Sequence, residues 1–292
     1  MRIGAIFPQT ELGGDAGAVR AYGERVAELG FTHIAIYDHV LGADPAVHQG
    51  WRGPYELKTT FHEPFVVFGF LAAVADVELV TEVIILPQRQ TALVAKQAAE
   101  IDLLTNGRFR LGVGVGWNAV EYEALGKDFH DRGRRLDEQV ALMRRLWSED
   151  SVSHTGTFET VTGAGLAPHP IQRPIPVWFG GSSTAAYERA GRTGDGWFPM
   201  MPPDERLEAA KAIVVGAAVE AGRDPSMIGM EGRVSWGAGG VDTVVEHAQR
   251  WRASGATHLS VNTMGSGLAT VEDHLDALSR AAEGLGLARA LG

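Results

Sequence analysis

The run Arg108-Phe109-Arg110-Leu111-Gly112-Val113-Gly114-Val115-Gly116-Trp117-Asn118 decides the fold. It begins as a short apolar run and then loses its side chains at alternate positions, at Gly112, Gly114 and Gly116. Glycine within a strand pattern indicates the close approach of a ligand or of another backbone. A large aromatic residue and an amide follow at once. The pattern predicts a buried strand whose carboxyl end opens into a pocket.

Short apolar runs alternate with helical faces on both sides of this strand. Just before it, the apolar residues of 94–104 are spaced as one helical face, which Asn106–Gly107 closes. The strands are apolar on both faces, as buried parallel strands are. Eight strand–helix units predict an α/β fold, a (β/α)8 TIM barrel in a single domain over residues 1–292, with a doubly wound sheet as the alternative. Residues 151–173 break the rhythm and predict a small hairpin insertion.

Composition excludes several classes of function. The chain has 292 residues, no cysteine and a net charge of −10. Disulfides, thiolate catalysis and Cys-ligated zinc are therefore excluded, and a nucleic-acid or anionic-membrane surface is disfavoured. Neither a membrane-spanning run nor an export signal is visible in the sequence. No two histidines have the local spacing of metal ligands. We expect a soluble, cytoplasmic enzyme without a metal that acts on a small molecule.

Chemistry in such barrels gathers where the strands end and the loops to the helices begin. The strand ends of this chain are rich in glycine, aromatic and amide residues and poor in carboxylate or histidine clusters. They are Pro8–Gln9, Asp38–His39, Pro87–Gln88, Gly116–Trp117–Asn118, Gly180–Gly181–Ser182, Trp197–Phe198–Pro199, Trp236–Gly237 and Asn262–Thr263. This mixture favours a flat heterocycle, held by edge hydrogen bonds and stacking, over a metal ion.

Two of these strand ends each admit two interpretations. Gly180–Gly181–Ser182–Ser183 leads into a helix, where free amides attract an anion, so it is either a phosphate cradle or an ordinary turn with a capping serine. His39, beside Asp38, either exchanges a proton or is a buried structural histidine; its place at the end of a barrel strand favours the first.

Other residues have equally open roles. Asn118 either binds the edge of a ring or caps a helix, and we expect Glu121 to complete a capping box with it. Trp117 and Trp197 either stack on a ligand or belong to the core. Arg132–Arg135 lie among carboxylates, which favours a solvated, ion-paired helix over an anion clamp.

The residues together resemble the luciferase-like monooxygenase superfamily, and most closely its branch that uses the deazaflavin coenzyme F420. The resemblance covers about residues 2–200 in the order that the family shows, while the last third matches by rhythm only. The segments that carry it are Tyr37–Val40, Leu86–Arg89 with Ala95–Ala98, Asn106–Asn118, Arg132–Glu138, and Phe179–Ser182 with Gly194–Trp197.

This resemblance implies roles for the strand ends. His39 would lie over the cofactor ring and act in catalysis together with Asp38. Pro87–Gln88 would back the ring, Gly116–Asn118 would line its edge, and Gly180–Ser182 would hold the cofactor phosphate. Trp197 remains a candidate for stacking.

The sequence departs from the family pattern at two places. A familiar deazaflavin dehydrogenase has a carboxylate directly after the third glycine, where this chain has Trp117, so its sugar-phosphate chemistry cannot be carried over. Tyr37 stands where serine is usual. The long segment 41–60, with Trp51 and Tyr55, is predicted to close over the site.

The leading hypothesis is an F420-dependent oxidoreductase that transfers a hydride between the cofactor and an unknown small organic substrate. The first alternative is an FMNH2-dependent monooxygenase in the same barrel. The second, of another class, is a protein that binds a deazaflavin or phosphate ligand without catalysis. We also expect a homodimer, because exposed helix faces on such barrels commonly pair.

Overall fold

The computed structural model describes residues 1–287, in which eleven strands form two sheets. The strands are β1 (Arg2–Ile6), β2 (His33–Ile36), β3 (Glu78–Thr81), β4 (Ile84–Ile85), β5 (Phe109–Gly114), β6 (Val152–Thr155), β7 (Thr160–Ala164), β8 (Val177–Gly180), β9 (Gly196–Phe198), β10 (Gly229–Ser235) and β11 (His258–Asn262).

The helices lie between these strands. They are α1 (Ala16–Glu28), α2 (Pro64–Leu71), α3 (Thr91–Leu104), α4 (Ala119–Ala124), α5 (Arg132–Ser148), α6 (Thr184–Thr193), α7 (Glu205–Glu220), α8 (Gly240–Ala253) and α9 (Val271–Leu285), with short 3-10 turns at Leu86–Gln88 and Pro225–Met227.

The larger sheet closes into a barrel of eight parallel staves. Its strand order is β3-β2-β1-β11-β10-β9-β8-β5-β4, and β3 also pairs with β5. Strands β3 and β4 form one stave, since β3 pairs with the lower part of β5 and β4 with its upper part. The predicted (β/α)8 TIM barrel is confirmed.

The predicted bounds of one strand and one helix were wrong, and the predicted hairpin insertion is confirmed. The mainly apolar run 78–86 predicts one continuous strand, but that strand is interrupted between β3 and β4, where the Glu82–Val83 peptide is cis, and it ends in the first 3-10 turn. The sequence also predicts a helix over about 62–75, and the helix is limited to Pro64–Leu71. The hairpin expected within 151–173 is present as the antiparallel pair β6–β7. The single domain over 1–292 stays a prediction, and residues 288–292 lie outside the described part.

The glycines of the central strand let the staves approach one another. A Cβ on Gly112 would collide with the carbonyl oxygen of Thr81, and one on Gly114 would lie 2.7 Å from Val83. Phe109, at an alternate position, packs outward against Phe65 and Phe68 of α2. The space beside these glycines is therefore filled mainly by the neighbouring stave.

A network of charges closes the lower, amino-terminal end of the barrel. Arg110 is buried, donates to Glu231 over 2.8 Å and forms an ion pair with Glu78. Its guanidinium lies 4.4 Å from the ring centre of Trp178. His33 contacts the same Glu231 at 2.7 Å. Buried charges need partners, which explains why these side chains pair with one another. Together they fill the lower part of the barrel. No helix within residues 1–287 is long and apolar enough to cross a membrane.

Candidate active site

The upper end of the barrel holds a cavity of about 440 Å³. Side chains and backbone from the carboxyl ends of most staves line it, as is usual for enzymes of this architecture. Of the residues predicted from the sequence, seven come together here, and they are Asp38, His39, Gly116, Trp117, Gly180, Gly181 and Ser182.

The other four predicted residues do not line the cavity. Pro87 is buried in the 3-10 turn beside α5. Gln88 donates its side-chain N–H to Glu121. Asn118 caps α4 by accepting from the amide of Val120 and also donates to the carbonyl of Leu41. The roles proposed for these residues at the ring are therefore not supported by their positions.

Trp197 packs away from the cavity. Its ring contacts Tyr187 of α6, with 5.7 Å between the ring centres. Side chains alternate across a strand, so the next residue, Phe198, points into the barrel, and it lines the cavity instead. The aromatic residue of β9 that lines the cavity is therefore Phe198, one position after the predicted Trp197.

Glu121 organises the wall around His39 rather than completing the predicted capping box. Its Oε1 accepts from Nδ1 of His39 at 3.1 Å and from the amide of Val40 at 3.0 Å. Burial alone would raise the pKa of Glu121, but hydrogen bonds from His39 and Gln88 outweigh it, and the pKa is lowered. An ionised carboxylate only accepts, so Nδ1 of His39 carries a proton and is the donor of this hydrogen bond. Nε2 is the ring nitrogen left for a ligand in the cavity that His39 lines.

Aromatic rings surround this histidine. The ring centre of His39 lies 4.9 Å from Tyr55, 4.7 Å from Phe61 and 5.3 Å from Trp117. Trp51 packs against Trp117, with 5.6 Å between the ring centres. The segment between β2 and α2 therefore lies against the cavity wall, and its Tyr55 is part of the lining, whereas Trp51 is not. That this segment closes over the site stays a prediction.

Asp38 is an anchor for the loops rather than an exposed acid. It is buried, forms an ion pair with Arg89 at 2.8 Å and accepts from the amide of Ile85 at 3.0 Å. Burial raises the pKa of Asp38, although Arg89 and that amide act against the rise. The carboxylate therefore joins the end of β2, beside His39, to β4 and the turn after it on the neighbouring stave.

The Gly180–Ser183 turn has the features of an anion cradle. Gly181 has φ +136°, a conformation that glycine adopts readily, and a Cβ there would lie 2.9 Å from Ala186. Ser183 caps α6 by accepting from the amide of Ala186. Ser182 is exposed and lines the cavity beside the first turn of α6. Free amides at a helix start attract phosphate, so this turn fits a phosphorylated ligand.

Two arginines flank this cradle. Arg189 lines the cavity but is held by Asp137, through contacts of 2.5 and 3.2 Å. Arg132 also lines the cavity, with its guanidinium 3.7 Å from the ring centre of Phe129. The predicted ion-paired helix is correct for Arg135, which pairs with Glu159, whereas Arg132 faces the cavity. With apolar walls at Val83, Ile85 and Phe198, the cavity suits a flat ring that carries a phosphate.

Sequence reasoning missed the polar residues at the bottom of the cavity. Arg233 donates to the hydroxyl of Tyr37 over 2.8 Å, and Glu82 lies in the same lining. Burial raises the pKa of Glu82 to about 8, although Arg233 acts in the opposite direction. Glu82 stands in an apolar run and Arg233 in an unremarkable strand, so no local pattern marked either of them. Within residues 1–287, no three His, Asp or Glu side chains cluster as metal ligands.

Comparison with known proteins agrees with this architecture. The family model for luciferase-like monooxygenases matches residues 1–289. An FMNH2-dependent dimethylsulfone monooxygenase of Pseudomonas putida is 36% identical over 171 residues, which are 55% of this chain and 47% of that protein. An F420-dependent glucose-6-phosphate dehydrogenase of Amycolatopsis mediterranei is 32% identical over 184 residues, 60% of this chain and 51% of that protein.

One solved structure covers almost the whole chain. The crystal structure of the monooxygenase RslO1 from Streptomyces bottropensis superposes with a TM-score of 0.80 at 21% identity, over 98% of both chains. This likeness shows the shared fold. The chain spans about half the length of the two curated relatives above, and these two relatives differ in the cofactor that their names give.

Proposed function

The chain belongs to the luciferase-like monooxygenase family, and we therefore propose that it is an oxidoreductase that uses coenzyme F420 to exchange a hydride with a small organic substrate. The observation that carries the proposal is that His39 and Ser182 line one cavity. A proton-handling group and an anion cradle thus serve the same ligand space. The F420-dependent relative supports the choice of cofactor.

The chain's own residues divide the work of the proposed reaction. The amides of Gly181 and Ser182, with Arg132 nearby, would hold the phosphate. When bound, the deazaflavin would supply or accept a hydride. Nε2 of His39 would hydrogen-bond to a substrate oxygen and move a proton there, while Glu121 keeps the imidazole oriented. Trp117 and Tyr55 would exclude water.

A second candidate uses reduced FMN and oxygen. The P. putida relative is the observation that favours it, because it has the highest identity to this chain of the two relatives described and its name specifies FMNH2. The cradle and the apolar walls suit FMN as well as F420, since both are flat rings that carry a phosphate. The two candidates therefore have to be separated by experiment.

Titration of the ligand-free protein with F420 and, separately, with FMN tests the proposal. We expect saturable quenching or shifting of F420 fluorescence, with F420 bound more tightly than FMN. Tight binding of FMN alone, with oxygen consumption after reduction, would establish the second candidate. Binding of F420 without turnover across carbonyl and enone compounds would establish a binding protein.

The His39→Ala variant tests the role of the histidine. Loss of a positioned acid–base group costs roughly 100-fold or more in turnover, so we expect turnover to fall by about that factor while the Kd for F420 changes little. Unchanged turnover would remove His39 from the mechanism.

Homodimer assembly and a cytoplasmic location stay predictions.

A further inference from the structure

Arg233 is an arginine inside the barrel that the protein itself uses only in part. It projects from β10 and lines the cavity. Its Nη1 donates to the hydroxyl of Tyr37 over 2.8 Å, and its guanidinium lies 5.8 Å from the ring centre of that tyrosine. A guanidinium has five N–H donors in a fixed fork. Among the described residues, no carboxylate forms an ion pair with it.

Arg110, on β5 of the same barrel, gives the contrast. It lies below the cavity and pairs directly with both Glu231 and Glu78. A buried cation normally acquires such partners, because an isolated buried charge is costly. Arg233 keeps its charge near the cavity without them, which leaves its donors for a molecule that enters.

Glu82 is the carboxyl group that acts electrostatically on Arg233, and it does not neutralise the guanidinium at neutral pH. Burial raises the pKa of Glu82 to about 8, and its Oε2 is buried with no hydrogen-bond partner among the described residues. Below that pH, Glu82 is mostly protonated and is a donor itself. The hydroxyl of Tyr55 completes the surroundings of Arg233, and burial raises the pKa of Tyr55 as well, so it stays neutral.

A second, smaller cavity lies on the other side of Arg233. Its volume is about 240 Å³, and it shares Arg233 and Met200 with the main cavity. His247 and Arg250 also line it, and no acidic side chain among the described residues does. The smaller cavity thus brings a second arginine, Arg250, and no carboxylate to the surroundings of Arg233.

From this geometry we propose that the substrate bears a carboxylate, which Arg233 binds at the bottom of the cavity with help from the hydroxyl of Tyr37. The inference rests on the proposed function for the word substrate, but binding of the carboxylate does not require a cofactor. An arginine fork matches a carboxylate in two parallel hydrogen bonds.

Calorimetric titration of the ligand-free protein with benzoate and with benzamide tests this inference. The two probes share size and shape, and only benzoate carries a charge at pH 7. Charge-assisted hydrogen bonds exceed neutral ones by enough to predict about 10-fold tighter binding of benzoate. In Arg233→Met, which keeps the bulk and removes the charge, we expect this preference to disappear. Arg233→Lys retains part of it if the charge is what matters.

Two matched variants show where the carboxylate binds. Arg132→Met, at the phosphate cradle, and Arg250→Met, in the smaller cavity, should keep the preference for benzoate. Its loss in either of these with retention in Arg233→Met would overturn the inference, as would equal or absent binding of both probes to the unmodified protein. Circular dichroism and thermal melting confirm that each variant folds.

A parallel titration with F420 separates this inference from the proposed function. Binding of F420 without any preference for benzoate refutes the inference and leaves the proposed cofactor in place. A preference for benzoate that depends on Arg233, without binding of F420, supports the inference and refutes the cofactor.

Discussion

Glu121 shows how one carboxylate can fix a reactive histidine. It accepts from His39, from the amides of Val40 and Leu41, and from Gln88. These donors come from the end of β2 and from the 3-10 turn after β4. The orientation of His39 is therefore tied to two other parts of the chain, α4 and the 3-10 turn after β4.

We predict that Glu121→Ala destabilises the protein by about 2–4 kcal/mol, because several buried donors lose their acceptor together. Urea unfolding at pH 7 measures the change. Glu123→Ala is the matched control, since Glu123 is exposed on the same helix, and it should stay within about 0.5 kcal/mol of the unmodified protein. Equal effects of the two variants would contradict the role assigned to Glu121.

The raised pKa of Glu82 predicts how the stability of the protein depends on pH. Its pKa is raised to about 8 in the folded protein from an ordinary 4.5, so the folded state holds a proton between these values that the unfolded state has lost. Stability therefore falls as pH rises from about 5 to 8, and the loss is complete above 8. Glu82→Gln removes this loss, so its stability relative to the unmodified protein should rise between pH 5 and pH 9 by on the order of 5 kcal/mol, at about 1.4 kcal/mol for each unit of pKa shift.

Urea unfolding of both proteins at pH 5 and at pH 9 checks this prediction. A difference between the two proteins that does not change with pH would mean that Glu82 titrates normally. Because Glu82 lines the cavity, the same pair of proteins also tests whether a charge there weakens or strengthens the binding of benzoate.

The secondary structure was largely predictable, and its failures have local causes. Apolar runs and glycine caps marked the staves and their helices because backbone and burial requirements act within a few residues. The break at Glu82–Val83 lies in the mainly apolar run 78–86, and its polar residues Thr81 and Glu82 are compatible with a strand, so they did not mark the break. In β9, a strand of three residues, the alternation was too short to show that Phe198 rather than Trp197 points inward.

The candidate site was predictable only in part, for a different reason. The strand ends at His39 and Gly180–Ser182 follow from the barrel itself, which brings all carboxyl ends of the staves together. Contacts between distant positions do not follow from it. Glu121 and His39 are 82 positions apart, and Glu121 has the local spacing of a capping residue, so a local pattern gave it the wrong role.

The packing of β5 against β3 gives a test with two glycines. Gly112→Ala places a methyl group against the carbonyl of Thr81, where backbone would have to move. We expect a loss of about 3 kcal/mol or more, as for overpacked core sites. Gly69→Ala, inside α2 with open space around it, should instead stabilise the protein by roughly 0.5–1 kcal/mol. Thermal melting with urea titration measures both.

Destabilisation by Gly69→Ala as large as that by Gly112→Ala would mean that the two sites do not differ in packing. Retention of full stability in Gly112→Ala would mean that the staves tolerate more separation than this barrel shows. Either result would also weaken the explanation given above for the alternating glycines.

The charged network below the cavity should govern the acid stability of the entire barrel. Burial alone would raise the pKa of Glu231, but Arg110 and His33 outweigh burial and lower it. Its contribution is present above about pH 4.5 and is lost as pH falls further. Burial lowers the pKa of His258 to about 3, so this histidine stays neutral when folded and costs stability as pH falls below 6.5.

We predict that Arg110→Met loses about 3–5 kcal/mol at pH 7, because Glu231 keeps a buried charge without that partner. The variant should also lose less stability on acidification than the unmodified protein, since the carboxylate it leaves is less strongly favoured. Urea unfolding at pH 7 and pH 4 checks both. A parallel decline of the two proteins would show that this network does not set the acid response.

The plug of Arg110, Trp178 and Glu231 has a kinetic consequence. Within residues 1–287, this plug closes the amino-terminal end of the barrel, so ligands reach the cavity from the other end. Two reactants that bind in the cavity together must therefore bind in a fixed order. The one that lies deeper binds first and is released last. Steady-state rates should follow a compulsory order, and a surplus of the outer reactant should obstruct entry of the inner one.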